Sequence, residues 1–218
     1  MNLFEIPKFQ CPLCDRGLLI IENEQLIKET TEWSMKAYAE IGDPDIYEGK
    51  FMAIARCNNP DCKEITSIAG KTRMVQNGWD NGRDPDTYEY LYEPEPNYDT
   101  TYEICFTDPA IKIFRTPPQT PDDLVRTIDE SFYLFWIDEN SCGNKIRIAV
   151  EKLLDCLKVQ KTFINKHGKR EAIKLHNRIV ELKSQKPEIA NYLLAVKWIG
   201  NEGSHSGKKL ERKDLIDA

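Results

Sequence analysis

Two cysteine pairs carry the clearest chemistry in this 218-residue sequence: Cys11-Pro12-Leu13-Cys14 and Cys57-Asn58-Asn59-Pro60-Asp61-Cys62. Thiolates two to four residues apart on a tight turn face one ion, and two such turns complete a tetrahedron of sulfur around zinc. Proline and asparagine inside the pairs suit that knuckle geometry. A β-like segment follows each pair, Leu18–Ile21 and Glu64–Ala69, as in a zinc ribbon, although 42 residues separate the pairs. No histidine or carboxylate is spaced to leave an open coordination position, so Cys11, Cys14, Cys57 and Cys62 are expected to hold a structural zinc. Cys105, Cys142 and Cys156 stand alone and are expected to be small buried hydrophobes or inert thiols.

The densest polar cluster is Lys197-Trp198-Ile199-Gly200-Asn201-Glu202-Gly203-Ser204-His205. Asn201 and His205 are four apart and share a face if the turn is helical. An imidazole beside an amide, with Lys197 nearby, can do acid–base work on a phosphodiester. The same residues also read as a helix C-cap followed by an exposed tail. Arg147 and Glu151 form a possible i,i+4 pair upstream, an ordinary surface ion pair or a polar contact organising the Asn201–His205 end. Between these clusters lies a basic stripe. Residues 158–186 hold nine lysines and arginines, opposed only by Glu171 and Glu181. Lys161, Lys166, Lys169, Arg170, Lys174 and Arg178 are its candidates for contact with a nucleic-acid backbone; a solvated helix face is the plainer alternative.

The elements that must position these groups fall into two sections. Thr116-Pro117-Pro118-Gln119-Thr120-Pro121 blocks helix and marks a boundary, giving domains of residues 1–118 and 119–218. The first carries 12 basic and 21 acidic side chains, a net of −9; the second carries 18 and 15, a net of +3. Residues 84–103 contribute seven acids and no base, a stretch that would repel a nucleic acid or attract the basic stripe. The first section predicts short strands at Gly17–Ile21, Phe51–Arg56, Glu64–Ala69 and Ile111–Phe114, with Glu24–Ile41 open between helix and strand pair. The second predicts helices. The first has Thr120 as N-cap and Pro121 at its first position. Others follow over Asn144–Lys158, Arg170–Ser184 and from Pro187 to Gly200, where the chain frays, with a short fifth over Leu210–Ala218. The fold class is therefore α+β: a β-rich zinc ribbon followed by an antiparallel bundle of four to five helices.

With 40% hydrophobic and 30% charged residues the chain reads as soluble. No apolar stretch is long enough to span a membrane, which excludes a membrane partner. The first residues, Met1-Asn2-Leu3-Phe4-Glu5-Ile6-Pro7, lack the pattern of a secretory signal, which predicts a cytoplasmic, reducing location. A net charge of −6 excludes a uniformly cationic coat for nucleic acid.

Arg147-x3-Glu151-x-Leu153-Leu154, then Arg178-Ile179-x2-Leu182, then Lys197-Trp198-Ile199-Gly200-Asn201-x-Gly203-x-His205 resemble the bacterial domain-of-unknown-function family 4145 over about Pro121 to His205. The cysteine pairs resemble the ribbon that often precedes that domain. That family resembles in turn the HEPN superfamily of helical bundles. The resemblance implies a HEPN-like fold, assembly as a homodimer or larger complex, and a place in bacterial defence, restriction or RNA processing. Many HEPN members are metal-independent ribonucleases with an Arg-Asn-x3-His motif. Asn201 and His205 match its second part, while Gly200 stands at the arginine position and removes the cation expected to stabilise the phosphate. The expectation is a non-catalytic protein that binds zinc and a partner protein or RNA. The alternative is a HEPN-like ribonuclease using Asn201 and His205, supported by Lys197, Arg147 and Glu151.

Overall fold

A computed structural model describes residues 9–80, 94–205 and 210–216, with 198–205 described by backbone alone. The chain is mixed α+β and separates into two compact units, residues 1–111 and 112–218. The proline-rich run at 116–121 therefore falls within the opening residues of the second unit.

The first unit is an antiparallel meander, β1 (Leu19–Thr30), β2 (Glu48–Cys57), β3 (Ile65–Asp80) and β4 (Glu95–Asp108), paired in that order. β2 alternates without a break: Gly49, Phe51, Ala53, Ala55 and Cys57 are buried while the residues between them are exposed. Period-two burial of this kind fixes the register, because a one-residue slip would turn every core side chain to water. Gly70 is required by close approach, since a Cβ there would overlap the Glu103 carbonyl and the Phe51 ring. The Glu24–Ile41 stretch left open between helix and strand divides at Thr31. Its first part ends β1, and its second is α1 (Glu32–Ile41), N-capped by the Thr31 hydroxyl and stopped at Gly42 with φ 76°. The strand expected at Ile111–Phe114 does not form. Ile111 is fully buried and its N–H is held by the Thr107 hydroxyl, a side-chain bond in place of a ladder.

The second unit contains α2 (Asp122–Ile137), α3 (Glu139–Cys156), a hairpin of β5 (Thr162–Ile164) and β6 (Arg170–Ala172), α4 (Leu175–Lys183), α5 (Pro187–His205) and α6 (Arg212–Ile216). α2 and α3 lie antiparallel, stapled by Lys145–Glu130 at 2.7 Å and Lys152–Asp123 at 3.5 Å. Val150 and Leu154 of α3 close a core with Leu175, Ile179 and Leu182 of α4 and Ala190 and Leu193 of α5. The C-terminal segment is tied back to the α2–α3 corner, where the Arg212 guanidinium lies over Trp136 and pairs with Glu139 at 3.3 Å.

Four expectations about the helices need correction here. Pro121, not Thr120, occupies the N-cap of α2, and no side chain caps that end. α3 begins five residues earlier than Asn144, because Asp138 accepts bonds from the N–H groups of Asn140 and Ser141. The helix expected over Arg170–Ser184 starts only at Leu175; its first residues are strand, with Gly168 at φ 71° turning the chain. α5 also continues through Gly200 to His205 without fraying at the glycines.

Candidate metal centre and basic arm

Local backbone bonding explains how the two cysteine pairs meet. Cys57 ends β2 opposite Leu19, and a bridge between Gln10 and Leu18 carries the first knuckle to the same end of the sheet. The Cys11 N–H donates to the Gly17 carbonyl, and the Asn58 N–H donates to Leu18. Asn58 Oδ1 accepts from the Leu18 N–H at 2.8 Å, locking the knuckles together. Both turns close the same way. The residue after the second cysteine of each pair, Asp15 or Lys63, is left-handed, with φ of 52° and 53°.

All four sulfurs lie within 4.8 Å of one another. Cys11 Sγ is 3.8 Å from Cys62 Sγ, and Cys14 Sγ is 3.7 Å from Cys57 Sγ. A zinc–sulfur bond of about 2.3 Å gives a tetrahedron with edges of about 3.8 Å, whereas a disulfide would hold its sulfurs at about 2 Å. The donor set fits a divalent metal of zinc type, and four soft thiolates are what zinc takes in a closed structural site. Cys11 and Cys57 are buried while Cys14 and Cys62 are half-buried. The Gly17 N–H donates to Cys14 Sγ at 3.4 Å and Asn59 Nδ2 approaches it at 3.6 Å. Backbone N–H groups, first Gly17 and then Arg16, lower the Cys14 thiol to about 6, so this ligand is a ready thiolate at neutral pH. Burial pushes Cys57 the other way, up to about 12, and leaves it dependent on the metal for ionisation. Gly17 has a steric role that sequence reasoning passed over: a Cβ there would overlap Cys57 Sγ and press on Asn59.

The remaining thiols divide. Cys142 is buried beside the Ser131 carbonyl, and burial raises it to about 12, which makes it inert. Cys156 is exposed, contrary to expectation.

The basic stripe resolves into an arm and its anchor. Residues 163–172 are exposed throughout except Asn165. Asn165 builds the tip: its Oδ1 accepts from the N–H groups of His167 and Lys169, both at 2.9 Å, and its Nδ2 donates to Glu171. Lys166, His167, Lys169 and Arg170 thus ride on a preorganised turn, with Lys161 and Lys174 near its base. Lys161 is 2.8 Å from Asp155; Lys166, Lys169, Arg170 and Lys174 make no ion pair among the described residues. Asn165 was not among the sequence-derived candidates, although Asn-x2-Gly is a turn signature.

Arg178 does not belong to that surface. It is 4% exposed, and its guanidinium donates to Gln160 O at 3.2 Å, Val159 O at 3.2 Å, Glu151 O at 3.4 Å and Asp155 Oδ1 at 2.5 Å. It clamps the chain leaving α3 and so sets the root of the arm. Burial raises Asp155, but hydrogen bonds from Lys161 and Arg178 outweigh it and leave the carboxyl below its usual value.

The Arg147–Glu151 pair forms at 3.7 Å with side chains 34% and 43% exposed, so it is a partly solvated helix-surface contact. Asn201 and His205 are one turn apart on α5, with Lys197 a turn before them. The side chains of Asn201 and His205 lie outside the described residues, as do residues 84–93 of the acidic run. A cleft of about 570 Å³ opens between α2, α3 and the proline-rich segment, lined by apolar groups such as Leu124, Ile128, Ile146 and Leu153. It has no charged lining and offers nothing to an anion. Among the described residues no helix is long and apolar enough to cross a membrane.

Comparison with known families divides the chain in a similar place. Residues 129–218 match the model of a domain of unknown function, DUF4145, as the motifs from Arg147 to His205 implied. Residues 1–98, with all four clustered cysteines, match a second one, DUF8608. No curated protein matches the chain, and no solved structure does.

Proposed function

We propose that the protein is a non-catalytic nucleic-acid-binding module in which a zinc ribbon organises the first unit and a HEPN-like bundle carries the binding surface. The observation that carries this reading is the basic arm: Lys166, His167, Lys169 and Arg170 on a fixed tip, with Lys174 near the base. Lysine and arginine cations that form no ion pair among the described residues, on an exposed element whose one carboxylate, Glu171, is engaged by Asn165, attract a polyanion and release its counterions on binding. Zinc, the metal this reading assigns to the four thiolates, has a scaffolding role only. The expected setting is cytoplasmic, in a homodimer or larger complex of a bacterial defence or restriction system. The test is anisotropy with labelled RNA and DNA at several salt concentrations. Affinity should fall steeply with salt, by about one logarithmic slope unit for each phosphate contacted. Salt-insensitive association with a protein partner, and none with nucleic acid, would replace this reading with an adaptor.

A second reading, a HEPN-like ribonuclease, draws support from α5. Its uninterrupted helix sets Lys197, Asn201 and His205 at successive turns, a spacing suited to one catalytic face. Here His205 would move the ribose 2′-hydroxyl proton and Lys197 would stand in for the cation missing at Gly200. RNA cleavage lost in His205→Ala would establish it; equal, negligible cleavage in both proteins would leave the binder.

A further inference from the structure

We propose that the arm is shaped to enter the major groove of double-stranded DNA, which makes its partner a DNA duplex rather than RNA. This rests on the nucleic-acid reading above and narrows it. β5 and β6 pair in register, Thr162 with Ala172, Phe163 with Glu171 and Ile164 with Arg170, and the ladder extends to the bond from the Ile173 N–H to the Lys161 carbonyl. A two-stranded ribbon with its side chains is about 10 Å thick, since that is the spacing at which sheets pack face to face. The B-DNA major groove, about 12 Å wide and 8.5 Å deep, admits such a ribbon, and the minor groove at about 6 Å does not. A-form RNA hides its bases in a deep, narrow major groove that side chains do not read.

The length also fits. Asn165 is four residue steps beyond Lys161, which at about 3.3 Å each gives a reach near 13 Å, more than the depth of the groove. With the tip at the groove floor, Lys174 and Lys158 at the arm's root stand at the level of the phosphates. Lys166, His167 and Lys169 lie at or beside the base edges. Ile164 and Arg170 are cross-strand partners on one face of the ribbon, and Ile164 is 71% exposed. An aliphatic group beside a guanidinium suits a thymine methyl next to a guanine, whose O6 and N7 take the two N–H donors of arginine. The tip is also prepaid in conformational terms. Asn165 Oδ1 holds two backbone N–H groups of the turn and Gly168 supplies the left-handed residue, so little ordering is left for binding.

The deciding experiment uses the full chain loaded with zinc. Its affinity is measured by anisotropy for a 20-base-pair DNA duplex, for the RNA duplex of the same sequence, and for the single strands. DNA duplex should bind at least about tenfold tighter than the others, because only its major groove is open. Methyl green, a major-groove ligand, should compete, and netropsin, a minor-groove ligand, should not. The triple variant Lys166→Gln, Lys169→Gln, Arg170→Gln should lose about ten- to a hundredfold in affinity and reduce the salt slope by about three. Its three positions are exposed, so its thermal midpoint should stay within a degree or two, and Asn165→Ala should weaken binding several-fold through the tip alone. RNA bound as tightly as DNA, displacement by netropsin, or an unchanged triple variant would overturn the groove assignment. In the first case, nucleic-acid binding itself would stand. Absence of binding to every probe would remove both.

Discussion

The metal centre of the first unit and the arm of the second solve the same problem in opposite directions. Each takes two short chain segments, turns them tightly and presents polar groups from the turns. In the first unit the groups converge: four sulfurs within 4.8 Å of one another, two of the four cysteines buried. In the second they diverge, with Lys166, His167, Lys169 and Arg170 exposed on the tip. Convergent thiols are held apart by repulsion once ionised and require a cation between them. The divergent cations need no ion to fold, but their root does need one buried group, Arg178, to satisfy the carbonyls of Glu151, Val159 and Gln160. The first region is expected to draw its stability from the ion its thiols can hold, the second from what it already contains.

Metal removal breaks that comparison most sharply. Structural zinc in zinc-finger peptides contributes about 10–16 kcal/mol of folding free energy at neutral pH, and a bound zinc here should act on the same scale. Chelation, or Cys57→Ser, is expected to unfold the knuckles and the ends of β1 and β2. Hydrogen exchange resolved by residue should show protection lost around Leu19 and Cys57 and retained around Leu154 and Ile179. Loss in both places would show that the second unit also depends on the metal. Gly17→Ala probes the same site without touching a ligand: the new methyl meets Cys57 Sγ and should lower metal affinity by at least about tenfold, read by competition with a chromophoric chelator.

Arg178→Ala is the matching break in the second unit. It leaves Asp155 and three carbonyls without their donor, at a cost of about 3 kcal/mol, discounted because Asp155 is partly exposed. Arg178→Lys should rescue little, since one ammonium cannot reach four acceptors spread around a planar fork. The measurement is urea unfolding. A variant as stable as the parent would show that the arm's root does not depend on this clamp. The pH dependence points the same way. Asp155 has a folded pKa below its unfolded one, so its contribution is present at neutral pH. It is lost as pH falls from the ordinary aspartate value of about 3.9 through the folded value, and Asp155→Asn should flatten that acid limb.

How legible each region was follows from the same contrast. The knuckles were open to sequence reading because C-x2-C and C-x4-C spacing is itself the geometry, and β2 because its alternation from Gly49 to Cys57 is unbroken. β4 escaped notice because Glu95–Asp108 is rich in Asp, Glu, Thr and Tyr and buries only Ile104 and Thr107. A strand whose partner does most of the burying leaves little periodicity to read. The second strand of the arm reads as the start of a helix because the strands are only three residues long and most of the basic residues fall three to five apart, as on a solvated helix face. Arg178 was grouped with the surface cations by charge. Its position contradicted that, since 175, 178, 179 and 182 form one stripe and the other three are Leu, Ile and Leu. For Asn201 and His205 the spacing establishes only that they stand one turn apart on α5, and their side chains lie outside the described residues.

The smallest predicted effect sharpens the comparison by using one substitution in both places. Each region turns on a lysine held left-handed: Lys63 after the second knuckle, φ 53°, and Lys158 beyond the end of α3, φ 57°. A residue with a Cβ is strained there by about 1 kcal/mol, and glycine is not, although glycine costs more backbone entropy on folding. Lys63→Gly and Lys158→Gly should each be net stabilising by about 0.5 kcal/mol. The two gains should be expressed differently. If the first unit is held by its ion, the benefit of Lys63→Gly appears as tighter metal retention and vanishes from the chelated protein, whose knuckle is no longer folded. Lys158→Gly raises the urea midpoint whether or not metal is present, because the clamp beneath it is made of the chain itself. It should also weaken DNA binding by up to about tenfold at low salt and by less as salt rises, because removing one phosphate-level cation lowers the salt slope by about one. A Lys63→Gly gain that persists after chelation would mean that the knuckles fold without their ion, and the contrast between the two regions would fail at its root.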